Sequence, residues 1–275
     1  MVAVKSILDS LQLEAVGEHR FRARNAETGH PVVFGGQLLA QSIVAALVGN
    51  EGKTAKTLHT VFARAASPDS DVEIEVDPVH AGRALASSTV TVSQGERICT
   101  RSMVLMSAPE PDLIRHAEPA PVIARPHDDP GGDDWVVRVV GGVDLSDPAQ
   151  VGPPELDVWT AFPGAPDDAA VSQALLAFCT DGFLIGTAMR PHEGVGQAQA
   201  HVSLSTGVLS HTITFHEPCP AAQWMLLAHR SVYAGHGRSY GRADVFGADG
   251  ELVASFVQDS MIRAMAPRPP GSAAL

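Results

Sequence analysis

Two segments of this chain match each other without a gap. Residues 81–107 and 236–262 carry identities at a constant separation of 155 positions, most of them at residues typical of turns. The identical pairs are Gly82 and Gly237, Arg83 and Arg238, Val90 and Val245, Gly95 and Gly250, Glu96 and Glu251, and Met106 and Met261. Such a fixed separation marks a duplicated supersecondary unit, so the two halves of the chain are expected to share one plan.

The plan of each half is a helix followed by strands. Residues 37–47 (QLLAQSIVAAL) and 171–178 (VSQALLAF) are rich in Ala and Leu, which favour helix. Residues 72–77 alternate between apolar and acidic side chains, which is the period of a half-exposed strand. Residues 58–62 (LHTVF) resemble residues 210–215 (SHTITF), and hairpin turns are expected at Gly95 and Gly250. Each half is therefore predicted to be a mostly buried helix surrounded by an antiparallel sheet.

A segment rich in Pro, Asp and Gly separates the two halves. We predict an N-terminal domain at residues 1–108, an irregular linker at 109–168, a second domain at 169–266 and a mobile tail at 267–275. Within the linker, residues 135–140 and 157–162 have the composition of short strands.

Charge and cysteine content exclude several classes of function. The chain has a formal net charge of −12 and no basic stripe, so nucleic acid is not an expected partner. Its 3 cysteines form no CxxC pair and no cluster with histidine, so neither disulfides nor a bound metal is expected. We recognise no secretory leader and no apolar run of membrane-spanning length, and we expect a cytoplasmic location.

A set of short motifs, taken in order, resembles the type II acyl-CoA thioesterases. The set comprises residues 33–41 (VFGGQLLAQ), 58–62, 82–83, 94–95, 210–216, Trp224, 237–238, 249–250 and 253–263. The resemblance implies an α+β double hotdog, with two antiparallel sheets each wrapped around a central buried helix. It also implies hydrolysis of fatty acyl-CoA, with no cofactor other than the CoA of the substrate. Whether double hotdogs pair into a homodimer stays open.

Thioester hydrolysis needs a polarised carbonyl and an activated water. Free N–H groups at a helix N-terminus suit the carbonyl, and Gly35 and Gly36 would allow the thioester to approach that backbone. In the resembling family an Asp, a Thr and a Gln hold the water, and the spacing from Trp224 and Arg238 assigns these positions to Ser210, Val232 and Gln258. Only Gln258 keeps the family residue, so we expect an altered catalytic site in which Ser210 and Gln258 hold the water.

Asp181 and Gln258 are polar residues in apolar surroundings. Asp181 ends the second helix, where its carboxylate has either a structural role, as a cap or backbone acceptor, or a catalytic one. Gln258 corresponds to Met103 at the separation of 155, so an amide stands where the first half has an apolar residue. Because a buried amide must find partners, this difference favours a role for Gln258 in the site.

Substrate contacts are expected from Gly35, Gly36, Gln37, His59, Val232 and Arg238. His59 and its match His211 have an alternative interpretation as core histidines, and Gln37 as a solvent-facing or helix-capping amide. The CoA phosphates need basic groups, for which Arg64, Arg83, Arg101, Arg238 and Arg242 are candidates. Two functions stay open: an acyl-CoA thioesterase, and a non-catalytic protein that binds acyl-CoA or fatty acid. A hotdog hydratase is less favoured, because no closely spaced Asp/His pair precedes the first helix.

Overall fold

The computed structural model describes residues 2–265. The first half contains α1 (Val4–Ser10), β1 (Glu14–Gly17), β2 (Arg20–Ala23), α2 (Gly35–Leu47), β3 (Thr54–Phe62), β4 (Val72–Ala81), β5 (Leu85–Gln94) and β6 (Arg97–Ser107). The second half contains β7 (Val136–Val139), β8 (Glu155–Ala161), α3 (Ala169–Thr180), α4 (Leu184–Met189), β9 (Leu204–Phe215), β10 (Met225–Gly235), β11 (Arg238–Phe246) and β12 (Leu252–Ala264). The long helix of each half is thus followed by four long strands.

All the strands belong to one 12-stranded antiparallel sheet, in the order β1-β2-β4-β5-β6-β3-β9-β12-β11-β10-β8-β7. The order reads the same from each edge toward the seam, where β3 pairs with β9. The two expected sheets are therefore halves of a single sheet that continues across this seam. The prediction of an α+β double hotdog is confirmed.

The central helices α2 and α3 pack against each other and against one face of the sheet, here called the inner face. Both helices are buried over most of their length, since apolar or small residues surround their axes. The predicted alternation in β4 is present: Val72, Ile74 and Val76 are buried and the acidic residues between them are exposed. The buried side chains of the helices and of the inner face of the sheet form one continuous core.

The sequence repeat does not keep one register throughout the structure. On β5 and β11 the separation of 155 holds, but Ala86 pairs with Met106 whereas Gly241 pairs with Gln258. The second hairpin is therefore three residues shorter, and the structural counterpart of Gln258 is Met106 rather than Met103. Met106 is fully buried and Met103 is exposed. The contrast between an apolar residue and an amide remains, with this corrected partner.

The segment at residues 109–168 contributes to the sheet. Strands β7 and β8 pair with each other, and β8 pairs with β10. On the outer face a second small core forms around Trp159, Trp224 and Phe246. The proposed domain boundaries stay predictions, and the predicted tail at 267–275 lies outside the described residues.

One stretch has the length and composition of a membrane span. Within Ala169–Met189, a window of 18 residues has a mean hydropathy of 1.4, and 61% of this window is buried inside the protein. The stretch consists of two helices, α3 and α4, separated by residues 181–183. Core helices of a folded domain satisfy the same length and composition criteria.

Candidate active site

The N-terminus of α2 meets the C-terminus of α3 with no room for side chains between them. A Cβ on Gly36 would lie 2.0 Å from the carbonyl oxygen of Phe178, and a Cβ on Gly35 would lie 2.6 Å from Oδ2 of Asp181. The close approach of the two helices therefore requires glycine at Gly36, whereas a side chain at Gly35 would displace the side chains of Asp181 and Phe62. The two glycines thus let α3, and with it Asp181, reach the start of α2.

The carboxylate of Asp181 lies beside the N-terminus of α2. Phe34 precedes the helix and provides no side-chain cap, so the first N–H groups of α2 have no acceptor within the helix. The backbone N–H of Gly36 lies near the Asp181 carboxylate and favours its ionised form. Burial raises the pKa of Asp181 to about 7, against the smaller lowering effect of this N–H donor. A carboxyl group with this pKa can exchange a proton near neutral pH.

Four polar residues cross the seam of the sheet on its inner face, and we call Ser102, Thr60, His211 and Gln258 the polar row. Neighbours in the row are directly opposite each other on β6, β3, β9 and β12. All four are buried. The Thr60 and Ser102 hydroxyls are hydrogen bonded at 2.7 Å, whereas neither polar atom of Gln258 has a hydrogen-bond partner among the described residues.

The polar row is joined to Asp181 through the last turn of α3. Nε2 of His211 lies 3.1 Å from Oγ1 of Thr180, the residue before Asp181. Burial, with a smaller contribution from His59, lowers the pKa of His211 to about 3, so this ring is neutral. Asp181, Thr180 and the polar row are therefore linked in one group through this contact and the chain of α3.

Unpartnered buried atoms concentrate in this group. Within residues 2–265, Oδ1 of Asp181, Nδ1 of His211 and both amide atoms of Gln258 are buried and lack hydrogen-bond partners. Buried polar atoms normally have partners, because an unpaired one carries the full cost of its desolvation. A concentration of such atoms indicates a place where a polar ligand or a water binds. No cluster of three or more potential metal-ligating His, Cys, Asp or Glu side chains occurs in this part of the chain.

Ser210 and Val232 are not part of this group, and the sequence-based assignment needs a correction. Ser210 lies on the outer face, where its hydroxyl donates to Oδ2 of Asp259 at 3.1 Å. Gln258 lies on the inner face, so the two side chains cannot hold one water. Val232 is 57% exposed at an irregularity in β10, away from the polar row.

Three further predicted contact residues have other surroundings. Gln37 is fully buried, neither solvent-facing nor a helix cap: its Oε1 accepts from Ala26 N–H and its Nε2 donates to Asn25, each at 2.8 Å. His59 is exposed on the outer face, 2.7 Å from the Thr212 hydroxyl, so it is not the counterpart of His211. Arg238 is exposed at the start of β11 and donates to the carbonyl of Gly237.

The structure adds Thr180 and His211 to the candidate site. The sequence shows a threonine next to Asp181 and a histidine next to Ser210. Because successive side chains along a strand point to opposite faces, His211 and Ser210 face opposite sides of β9. Only the strand register and the packing of α3 show that the His211 side is the one that faces the site.

Models of acyl-CoA thioesterase domains match most of the chain. The acyl-CoA thioesterase N-terminal domain matches residues 23–107, and the C-terminal domain matches residues 115–262. Acyl-CoA thioesterase 2 of Haemophilus influenzae is 26% identical over 283 residues, covering 94% of this chain and 98% of the relative. Human acyl-coenzyme A thioesterase 8 is 24% identical, covering 92% of this chain and 87% of the relative.

Solved structures agree on the fold. The tesB protein of Mycobacterium avium subsp. paratuberculosis superimposes with a TM-score of 0.79 at 21% identity, covering 95% of this chain and 100% of that protein. The acyl-CoA thioesterase II TesB2 of Mycobacterium marinum gives 0.78 at 24% identity, covering 97% and 99%. The chain therefore belongs to the acyl-CoA thioesterase family, and it hydrolyses acyl-CoA thioesters or has descended from enzymes that do.

Proposed function

We propose that this protein is an active acyl-CoA thioesterase whose general base is Asp181. The observation that carries the proposal is the position of this carboxylate, with its pKa raised to about 7, beside Gly35 and Gly36 at the start of α2. A buried acid at the C-terminus of a helix destabilises the fold, so its presence there favours a functional role. The structural role left open for Asp181, as an acceptor for the α2 backbone, is compatible with this one.

The thioester carbonyl is proposed to bind at the N-terminus of α2. The N–H groups there point along the helix axis at the positive end of the helix dipole, which stabilises a developing oxyanion. Gly35 and Gly36 bring this backbone, without side chains, next to Asp181. The same N–H groups favour the ionised form of Asp181, so carbonyl and base share one electropositive helix end.

The water is proposed to bind between Asp181 and Gln258. The amide of Gln258 can donate to the water oxygen, and Asp181 accepts one of the two hydrogens of the water. Asp181 takes a proton as the water oxygen bonds to the carbonyl carbon. The C–S bond then breaks, and the proton passes from Asp181 to the thiolate of CoA. The products are a free acid and CoA, with no other reactant.

The CoA phosphates are proposed to bind at one end of the sheet, with Arg64 and Arg238. Strand β3 ends at Phe62, whose ring lies beside Gly35, and Arg64 follows two residues later. Because β3 and β9 are antiparallel, the start of β11 with Arg238 lies at this same end. Arg83 precedes β5, whose Leu85 pairs with Ser107 at the opposite end.

Further parts of the proposal concern the setting of the enzyme. We propose a role in lipid metabolism in the cytoplasm, supported by cysteines that are all free. We also propose that CoA enters only as part of the substrate and that double hotdogs pair into a homodimer.

The test is an assay of thiol release from saturated acyl-CoAs of short to long chain, with wild type, Gln258→Ala and Asp181→Ala. We expect turnover by wild type and a large loss of kcat in both variants. The matched control is Met103→Ala, which truncates an exposed residue on the opposite face.

Three other outcomes are decisive. Tight acyl-CoA binding without turnover by wild type would select the non-catalytic binding protein instead. Equal turnover by wild type and all variants would show that neither Gln258 nor Asp181 takes part in the reaction. Hydration of crotonyl-CoA, measured in parallel, would reveal a hydratase.

A further inference from the structure

The hydrogen bonds of Thr180 determine which nitrogen of His211 carries the proton. The Thr180 hydroxyl has one hydrogen, and it donates to the carbonyl oxygen of Ala177 at 2.8 Å. In the longer contact of 3.1 Å with His211, this arrangement leaves Oγ1 as the acceptor and Nε2 of His211 as the donor. Because the ring is neutral, the proton on Nε2 leaves a lone pair on Nδ1.

The lone pair on Nδ1 has no partner among the described residues, although the atom is buried. The ring is held in place on two sides, by Thr180 and by Phe256, which stacks on it with centroids 5.4 Å apart. Gln258 is directly opposite on β12, so the Cβ atoms of the two residues are about 5 Å apart. An oriented acceptor therefore lies beside an amide whose two polar atoms are also unpartnered.

His229 provides an internal comparison. Its ring is also buried and also contacts Phe256, at a centroid distance of 5.7 Å. Its Nδ1 lies 2.9 Å from the carbonyl oxygen of Leu156, so this ring must carry its proton on Nδ1. The two buried histidines are thus held in opposite tautomers by different acceptors, and only His211 directly opposes Gln258.

We propose that Thr180 fixes His211 as the Nε2–H tautomer so that Nδ1 accepts a hydrogen bond from the water that attacks the thioester. This inference rests on the proposed function. His211 contacts the attacking water, and Thr180 acts through His211 as a positioning residue. With Gln258 as donor and Asp181 as base, the water then has a defined orientation toward the carbonyl carbon.

Two substitutions of His211 separate this role from a structural one. An Asn side chain places a polar atom near the position of Nδ1, and a Gln side chain places one near Nε2. If the acceptor at Nδ1 matters, His211→Asn keeps more activity than His211→Gln, and we expect about a tenfold difference in kcat or more at similar KM. If only the contact with Thr180 matters, the order reverses.

Thr180 supplies a second pair of variants. Thr180→Val keeps the shape and removes the acceptor, whereas Thr180→Ser keeps the hydroxyl. We expect kcat to fall in the Val variant and to be recovered in the Ser variant. Thermal unfolding of each variant identifies losses that arise from misfolding.

A spectroscopic measurement reads the tautomer without an assay. In long-range ¹H–¹⁵N spectra of histidine-labelled wild type, His211 is expected to show an unprotonated Nδ1 and a protonated Nε2 at neutral pH. A proton on Nδ1, or kcat in His211→Gln equal to or above that in His211→Asn, would overturn the inference. Absence of turnover by wild type would overturn the proposed function instead, and the spectrum would still decide the tautomer.

Discussion

The buried carboxyl of Asp181 makes the stability of this protein depend on pH in a direction opposite to that of most acidic residues. Its pKa is about 7 in the fold and 3.8 as the reference value. Between these values the unfolded chain has lost the proton that the folded chain still holds. Raising the pH therefore favours unfolding, and the contribution of Asp181 to the free energy of unfolding falls until the pH passes about 7.

The magnitude follows from the two pKa values. Each pH unit between them costs about 1.4 kcal/mol, so the free energy of unfolding falls by about 3 kcal/mol between about pH 5 and pH 8 through this group alone. Asp181→Asn removes the titration. The wild type should therefore lose about 3 kcal/mol relative to this variant over the same pH range.

The assay is denaturant unfolding of both proteins at a series of pH values. The other titrating groups, including the buried histidines, are common to the two proteins and cancel in the difference. Any constant effect of the amide on packing shifts the difference without changing its slope. A difference that does not vary between about pH 5 and pH 8 would refute the reasoning, because Asp181 would then titrate alike in both states.

Three further results are expected. Gly36→Ala places a methyl group against a carbonyl of α3 and should destabilise the fold by about 3 kcal/mol or more in denaturant unfolding, whereas Gly131→Ala, with open space around it, should change stability by under about 0.5 kcal/mol. Arg238→Glu should raise KM for acyl-CoA, with no effect on an acyl thioester of N-acetylcysteamine, which lacks phosphates; Arg83→Glu, at the opposite end, should change neither value. Burial lowers the pKa of His229 to about 4, so below pH 6.5 the unfolded chain takes up a proton that the folded chain does not. The free energy of unfolding of His229→Gln should therefore fall by about 3 kcal/mol less than that of wild type between about pH 6.5 and pH 4. Equal effects of the paired Gly or Arg variants, or parallel pH curves for His229→Gln and wild type, would contradict these assignments.

The plan of helices and strands follows from local patterns that the sequence displays. The alternation in β4 and the apolar composition of α2 report which faces are buried, because each pattern repeats within one element. The same local information placed Ser210 and His211 on opposite faces of β9. It left open which of these faces carries Gln258, since that depends on the pairing of β9 with β12.

The site depends on relations that a single sequence does not contain. A hairpin shorter by three residues changed the counterpart of Gln258 from Met103 to Met106, although the identities at Gly95 and Gly250 favoured one constant separation. Asp181 stood out as an acid in apolar sequence, but its contact with Gly36 arises from the packing of α2 on α3. Ser210 was assigned from spacing, which carries no information about the face of the sheet.

The central claim is that Asp181 acts as the base in thioester hydrolysis, and the pH dependence of kcat/KM tests it most directly. The substrate should be an acyl-CoA whose binding does not change over the pH range. For wild type acting on it, kcat/KM should rise about tenfold per pH unit at acid pH and level off above a pKa near 7. Asp181→Asn should have a kcat/KM lower by about 10²-fold or more, without this rise. A variant that keeps the wild-type kcat/KM and the same pH profile would show that another group activates the water.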